Sequence, residues 1–151
     1  MDAIGLKTTI RIIAFCCRYC AYAAADLAGV LRLPYPTQTR IVQIPCTGRL
    51  DPLEVLHTFE HGADGVMVAG CLEGDCHFQT GNYNAIKRVT YIQSILVRIG
   101  LEPERIEMFN MSSAMGHQFA TATADMVARI AQLGPSPLRR ERPQPNLQAH
   151  P

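Results

Sequence analysis

The stretch Gly65-Val-Met-Val-Ala69 is followed directly by Gly70-Cys71-Leu-Glu-Gly-Asp-Cys76-His77, and it gives the clearest indication of the fold. A short apolar run that starts at glycine and ends at a glycine-containing polar loop is typical of a strand buried on both faces of a parallel sheet. We therefore predict a buried strand over residues 65–69 that ends at a loop with two cysteines.

Two strands earlier in the chain are predicted to end in the same way. The β-branched run Thr8-Thr-Ile-Arg-Ile-Ile-Ala-Phe15 stops at Cys16-Cys17-Arg18-Tyr19-Cys20. The run Arg40-Ile-Val-Gln-Ile44 is followed by Cys46. A fourth, shorter strand is predicted over residues 105–109, and no cysteine follows it.

Predicted helices separate these strands. Residues 21–31 are rich in alanine and leucine. Asp51-Pro52-Leu53-Glu54 combines a cap residue, a proline at the first helical position and an early glutamate, and this helix stops at His61-Gly62. A third helix is closed by Gly100, and the last covers residues 116–133. This alternation predicts an α/β fold, a single-domain three-layer sandwich with a mostly parallel four-stranded sheet of the flavodoxin-like or Rossmann-like kind.

The composition fits one domain, because 151 residues with 48% hydrophobic content can bury one sizeable core. We assign residues 1–135 to this domain and predict that the Pro-rich residues 136–151 form a flexible tail. The net charge of +1 argues against nucleic acid or an anionic membrane as a partner. Lys7 and Arg11 interrupt the N-terminal apolar stretch, and no segment approaches the ~20 apolar residues of a membrane span, so we expect a cytoplasmic protein.

All six cysteines lie between positions 16 and 76. In a reducing compartment structural disulfides are disfavoured, and grouped thiols more often bind metals or carry out redox chemistry. Ligands of open parallel sheets bind beyond the carboxyl ends of the strands, where loops from several strands meet. The cysteines predicted at that edge are Cys17, Cys20, Cys46, Cys71 and Cys76. We therefore expect these thiols to form a metal centre there.

Other interpretations of the cysteines are open. Buried cysteine can simply fill a core, although the cysteines here fall in predicted turns. Cys17-x-x-Cys20 could supply half of a zinc site, but the spacing of Cys46, Cys71 and Cys76 is closer to iron–sulfur ligation. The same CxxC pair could act as a thiol–disulfide oxidoreductase, which would leave the later cysteines without a role.

The residues around these cysteines suit an anionic cluster. Arg18, Arg49 and His77 flank the expected ligands, and glycines such as Gly74 offer backbone amides that can donate to sulfur. We expect His77 to donate from outside the ligand set, because a Rieske centre needs two histidines and no second one is near in sequence. The chain has no phosphate-binding glycine loop, nucleophile elbow or paired acid–base carboxylates, which favours an electron carrier without its own substrate.

Several motifs together resemble the delta subunit of methyl-viologen-reducing hydrogenase over residues 9–135. The most specific are Ala69-Gly-Cys71-Leu-Glu-Gly-Asp-Cys76-His77 and Cys46-Thr-Gly-Arg49-Leu-Asp-Pro52. The others are Phe15-Cys-Cys-Arg-Tyr-Cys20-Ala-Tyr, Asp26-Leu-Ala-Gly29, Gly62-Ala-Asp-Gly65-Val and Gly81-Asn-Tyr83.

This resemblance implies a 2Fe-2S cluster and electron transfer between a donor module, such as a hydrogenase or formate dehydrogenase, and a heterodisulfide reductase A-like flavoprotein, within an electron-bifurcating or confurcating complex. The family's characteristic cysteines fall on Cys17, Cys20, Cys46, Cys71 and Cys76, and one cluster needs only four of them. Cys16 lies outside this set. Tyr19 stands where the family pattern usually has tryptophan, so an aromatic side chain is kept beside the cluster.

Overall fold

Four strands, each followed by a helix, make up the part of the chain that the computed structural model describes, residues 9–139. The elements are β1 (Ile12–Cys17), α1 (Ala21–Val30), β2 (Thr39–Ile44), α2 (Pro52–Glu60), β3 (Gly65–Gly70), α3 (Gly81–Arg98), β4 (Ile106–Asn110) and α4 (Gly116–Leu133). Short 3₁₀ turns precede α2 at Thr47–Arg49 and β4 at Pro103–Arg105. All strands are parallel, in the order β2-β1-β3-β4, which confirms the predicted α/β class.

The helices cover the sheet on both faces and form two hydrophobic clusters. One cluster joins α1 and α4 to Ile12, Ala14 and Met67, and the other joins α2 and α3 to Phe15 and Val66. This division follows from the strands, because successive side chains point to opposite faces of a sheet. The sheet is therefore the middle layer of a three-layer sandwich. No helix among residues 9–139 combines the length and apolar character needed to cross a membrane.

Strand β1 ends later in the chain than predicted. The sequence predicts a strand that stops before Cys16, but β1 continues through Cys16 and Cys17. The reason is pairing with both neighbours, since Cys16 is aligned with Ala69 of β3 and Cys17 with Ile44 of β2. The expectation that these two cysteines lie in a turn is therefore wrong.

Helices α2 and α3 differ in how clearly the sequence marks their starts. Helix α2 begins as predicted, with the Asp51 carboxylate accepting a 2.8 Å hydrogen bond from the Leu53 amide. Helix α3 begins at Gly81, and its cap residue Thr80 makes no side-chain cap hydrogen bond. Its first turn therefore has no sequence signal of the kind that marks α2.

A polar clasp lies at the edge of the sheet where the strands begin. Arg105 is 1% exposed, and its guanidinium donates to the carbonyls of Asp64 and Gly134 at 3.0 and 2.9 Å. The buried carboxylate of Asp64 accepts from the Ser136 amide at 2.8 Å and from Arg139 at 3.1 Å. Buried polar groups need such partners, so the clasp fixes the segment after α4 to the sheet.

The clasp also brings the two ends of the described chain together. Arg139 Nη1 donates to the carbonyl of Thr9 at 2.9 Å. Both ends therefore lie at the edge opposite the one at which the cysteines follow the strands. The remainder of the predicted Pro-rich tail, residues 140–151, lies outside the described residues.

Candidate metal centre

The cysteines converge at the carboxyl edge of the sheet, at the point where the strand order reverses. From β1 the chain crosses to β2 on one side, and it then returns past β1 to β3 on the other. Cys17 is the last residue of β1 and Cys71 directly follows β3. Open α/β sheets bind their ligands at such a switch point, because the neighbouring loops diverge there and leave a crevice.

Three thiols form a first group at this edge. The sulfurs of Cys17, Cys20 and Cys71 all lie within 4.8 Å of one another, and the Cys17 and Cys71 Sγ atoms are 3.9 Å apart. Cys20 is the cap residue of α1, and its amide donates to the Cys17 carbonyl at 3.3 Å. The turn between β1 and α1 therefore brings both ends of the CxxC pair to the same place.

Two further thiols form a second group beside the first. The Sγ atoms of Cys46 and Cys76 are 3.8 Å apart, and the Gly48 amide donates to Cys46 Sγ at 3.3 Å. Cys17 Sγ lies 3.9 Å from the Pro45 carbonyl oxygen, which places the first group beside the loop that carries Cys46. All of these cysteines are free and buried, so the edge holds reduced thiols and no disulfide.

The two cysteines of the CxxC pair have pKa values that are shifted in opposite directions. The hydrogen bond from Cys20, aided by the Tyr19 and Cys20 amides and by Cys71, outweighs burial and lowers the pKa of Cys17 to about 6. The same hydrogen bond, together with burial, raises the pKa of Cys20 well above its usual range. Without a metal, Cys17 is thus the favoured thiolate and Cys20 the thiol that donates to it.

The first turn of α3 stabilises a thiolate at Cys76. Burial alone would raise the pKa of this thiol, but the amides of Asn82, Phe78 and Gly81, with the Cys46 thiol, lower it below the usual cysteine value. Backbone N–H groups at a helix N-terminus have no partner within the helix and favour a negative charge. The amides of this turn are donors that the sequence pattern does not indicate.

The other thiols favour their protonated forms in the absence of a metal. Burial raises the pKa of Cys46 to about 11 and also raises the pKa of Cys71. A metal ion reverses this preference because it binds the thiolate and displaces the proton.

Two glycines allow α3 to approach the thiols closely. A Cβ built at Gly81 would lie 2.3 Å from Cys46 Sγ and 3.2 Å from Cys76 Sγ. A Cβ built at Gly48 would lie 2.5 Å from the Gly81 Cα. Real Cβ atoms do not approach other heavy atoms so closely, so only glycine fits at either position without a shift of the backbone or the sulfur.

Three polar side chains from other elements hold the cysteine loops. Asn82 is fully buried and donates to the carbonyls of Cys71 and Leu72 at 3.2 and 2.9 Å. Asn110, the last residue of β4, donates to the same Cys71 carbonyl at 2.7 Å. Arg88 of α3 donates to the carbonyls of Gly48 and Leu50. No pattern in the sequence indicates this role for any of the three.

The predicted flanking residues lie around the thiols at different depths. Tyr19 stacks on His77 with ring centroids 4.0 Å apart, and Phe78 contacts both rings edge-on. We call these three residues the aromatic patch, and both Tyr19 (44%) and Phe78 (52%) are substantially exposed. The exposed Arg18 lies 5.9 Å from the Tyr19 ring centroid. Tyr19 and His77 also line a small pocket with Cys20 and Cys71, so the patch lies beside the first thiol group.

The remaining predicted residues are Arg49 and Gly74. Arg49 is exposed and lines a shallow pocket of about 380 Å³ together with Cys46 and Gly81. Gly74 has a φ of 85°, and no heavy atom lies within 4 Å of a Cβ built there. The turn between Cys71 and Cys76 thus requires glycine for its backbone conformation and not for a close approach.

Cys16 lies within the sheet and is not among the thiols that meet at the edge. It is fully buried in the hydrophobic cluster under α1 and α4, together with Ile12 and Ala14 of the same strand face. Burial, followed by the proximity of Cys17, raises the pKa of Cys16 to about 12. It behaves as an apolar core residue, in agreement with its place outside the family's cysteine set.

The donor set at this edge fits an iron–sulfur cluster. Such clusters are held by cysteine thiolates and are tuned by hydrogen bonds to sulfur, and the edge provides both buried thiols and amide donors. A larger groove of about 820 Å³ lies elsewhere, between α2 and β2, and is lined by Phe15, Val42 and His57 among others. None of its lining residues is a cysteine, so its size does not make it the candidate site.

The family model of the methyl-viologen-reducing hydrogenase delta subunit matches residues 12–134. An iron-sulfur subunit of the F420-non-reducing hydrogenase vhu of Methanocaldococcus jannaschii is 46% identical over 130 residues, which cover 86% of this chain and 97% of that protein. The subunit of the same name from Methanococcus maripaludis is 44% identical over 128 residues, covering 85% and 96%.

A much longer relative contains a segment that matches this chain. One of the subunits of the ferredoxin:CoB-CoM heterodisulfide reductase of Methanosarcina mazei is 40% identical over 132 residues, which cover 86% of this chain and 17% of that protein. The family match over residues 12–134 and the length covered in the hydrogenase subunits agree with the motifs at the cysteine edge. The chain therefore belongs to the methyl-viologen-reducing hydrogenase delta subunit family of iron–sulfur proteins.

Proposed function

We propose that the chain is an electron-transfer subunit that holds one 2Fe-2S cluster and relays electrons between a donor module and a heterodisulfide reductase A-like flavoprotein. The observation that carries this proposal is the meeting of five reduced thiols from three loops at one switch point. Cys17, Cys20 and Cys71 form one group, and Cys46 and Cys76 the other. Four of these thiols ligate the cluster, and Cys16 is left out because it lies within β1, aligned with Gln43 and Ala69, and is not among the thiols that meet at the edge.

The surroundings of the thiols support a cluster that changes charge. A 2Fe-2S cluster on four thiolates is an anion, and it becomes more negative on reduction. The amides of Gly48, Gly81 and Asn82 are directed at sulfur, and Arg49 lies at the rim of the adjacent pocket. These dipoles and the positive charge favour the reduced state, so we expect them to raise the cluster's potential.

We propose that the flavoprotein docks on the cysteine edge. Helices cover both faces of the sheet, so the carboxyl edge is the short route from the thiols to solvent. The aromatic patch lies on this route, and exposed aromatic residues are enriched at protein interfaces. The names of the relatives, which are hydrogenase and heterodisulfide reductase subunits, support a hydrogenase donor and an acceptor of this kind.

A thiol–disulfide oxidoreductase is the second candidate function, and the unequal CxxC pair favours it. A CxxC motif with one lowered and one raised pKa is what disulfide exchange uses, and Cys17 and Cys20 have this property. Against it, Cys17 is only 2% exposed, so an attacking disulfide has little access to its sulfur. We propose that the protein works in a reducing compartment such as the cytoplasm. Disulfides are rare in such a compartment, so grouped thiols more often bind a metal there.

An anaerobic assay of iron and acid-labile sulfide separates the two functions. The proposed subunit should contain iron and sulfide in near-equal amounts and should reduce the flavoprotein after reduction of its own cluster. A colourless protein that binds zinc, or that exchanges disulfides through Cys17 and Cys20 alone, would contradict the proposal. Co-purification with the flavoprotein from native cells tests the docking step independently.

A further inference from the structure

A second group of metal-ligating side chains lies on α2, away from the cysteines. One potential ligand atom from each of His57, Glu60 and His61 lies within 4.8 Å of the others. Residues three and four apart on a helix share a face, which explains why the three side chains meet. The side chains of His57 and Glu60 are 57% and 70% exposed, so ions in solution reach them freely.

The hydrogen bonds in this group leave one nitrogen of each imidazole available. His61 Nδ1 lies 2.7 Å from the His57 carbonyl oxygen, and a carbonyl can only accept, so this nitrogen carries the proton. His57 Nδ1 lies 3.0 Å from a Glu60 carboxylate oxygen and carries the proton for the same reason. In the neutral rings both Nε2 atoms therefore hold lone pairs for a metal, and Glu60 orients His57 as carboxylates orient zinc-bound histidines.

The position of these side chains at the C-terminal end of α2 also favours the binding of a cation. Helix α2 ends at Glu60, and His61 is its C-terminal cap residue. The last carbonyls of a helix carry a partial negative charge, which stabilises nearby cations. The spacing His-x-x-Glu-His is also the one with which a class of zinc peptidases binds its metal from a single helix.

We propose that His57 and His61, supported by Glu60, form a surface site for a divalent transition-metal ion of the zinc type. The two histidines supply nitrogen ligands, Glu60 supplies negative charge, and water or a ligand from outside the chain completes the coordination. This site is separate from the cysteines, because α2 ends where β3 begins and Cys71 follows the other end of that six-residue strand. The strand alone spans roughly 20 Å.

Equilibrium dialysis of the cluster-loaded chain against zinc chloride, under anaerobic conditions, tests the proposal. Zinc and iron are counted in the same sample, so zinc that enters the cysteine edge is recognised by the iron it displaces. The native chain should bind about one zinc ion more than the His57→Ala/His61→Ala double variant, with equal iron in both. Glu60→Gln should weaken zinc binding by about 10- to 100-fold, as the loss of an orienting partner does at other zinc sites.

His117→Ala is the matched control, since His117 is an exposed histidine on α4 outside this group. It should bind zinc as the native chain does. Equal zinc binding by the native chain and the double variant would overturn the proposal, as would zinc uptake by the native chain that only replaces iron. The substituted side chains on α2 lie at the surface, so thermal melting should show each variant folded, and the difference in zinc content reports on the site even if the chain carries no iron.

Discussion

Gly81→Ala is the substitution that tests most directly whether α3 packs on the metal centre. A Cβ at this position would lie 2.3 Å from Cys46 Sγ and 3.2 Å from Cys76 Sγ. Non-bonded heavy atoms are at their optimum at about 3.5–4.0 Å. The Cys46 sulfur and the new methyl group must therefore move apart by more than ~1 Å, and the Gly48 Cα, 3.6 Å from the same built Cβ, leaves the methyl group little room to shift sideways.

Gly81→Ala should lower the stability of the fold only moderately but should strongly reduce the retention of iron. Overpacking a well-packed site costs about 1–3 kcal/mol, and the better helix propensity of alanine returns up to about 1 kcal/mol. The Tm should therefore fall by no more than roughly 12 °C, since 1 kcal/mol corresponds to about 2–4 °C in a protein of this size. Ligand geometry tolerates only about 0.5 Å of displacement, so iron retention should fall by ~10-fold or more.

The assay measures iron and sulfide content, the rate of iron loss to a chelator, and the Tm. Gly29→Ala serves as the control, because Gly29 is exposed in α1 and no heavy atom lies within 4 Å of a Cβ built there. The control should keep native iron content and melt at the native temperature or slightly higher. If Gly81→Ala keeps native iron content and native chelator resistance, close packing of α3 on the thiols is not required for the metal centre.

Further substitutions probe the ligands, the side chains that support them and the proposed docking edge. Cys71→Ser should abolish or severely deplete the iron. Cys16→Ser should keep the iron but lower the free energy of unfolding by about 1–3 kcal/mol, because a hydroxyl is then buried in an apolar cluster. Loss of iron from the Cys16 variant would contradict the assignment of Cys16 as a core residue. Asn82→Ala should speed iron loss to a chelator, since the Cys71 and Leu72 carbonyls then keep only the Asn110 side chain and the Asp75 amide as donors; an unchanged rate would show that these two donors suffice. Arg49→Glu should lower the midpoint potential and slow electron delivery to the flavoprotein, whereas Arg98→Glu, at the other end of α3, should change neither. An unchanged potential and rate in the Arg49 variant would argue against this edge as the exit route.

The strands and the convergence of the cysteines could be predicted because both depend on local pattern. Buried parallel strands are nearly continuous apolar runs, and Gly65 to Gly70 is one of them. The rule that loops meet at the carboxyl edge then brings Cys17, Cys46 and Cys71 together without knowledge of any distance. The end of β1 could not be located in this way, because the Cys16-Cys17 pair resembles a turn in sequence although it continues the alternation of the strand.

The support of the centre could not be predicted because it depends on contacts between distant segments. Arg88 binds carbonyls of residues 48 and 50, which are about forty positions away in the chain. The first turn of α3 has no side-chain cap, so no capping signal marks its amides at Gly81 and Asn82, although both residues belong to the Gly81-Asn-Tyr83 motif. The division of the thiols into two groups likewise follows from loop backbone conformation, for which spacing gives no rule.

The meeting of Thr9 and Arg139 at the edge opposite the cysteines has a consequence for how this fold can be combined with others. A unit whose two ends lie side by side can be inserted into, or joined to, a longer polypeptide without distortion of its core. Because the clasp through Asp64 and Arg105 holds both ends of the described chain away from the thiols, such a connection leaves the cysteine edge free. The matching segment within the much longer Methanosarcina mazei protein is consistent with this modular use.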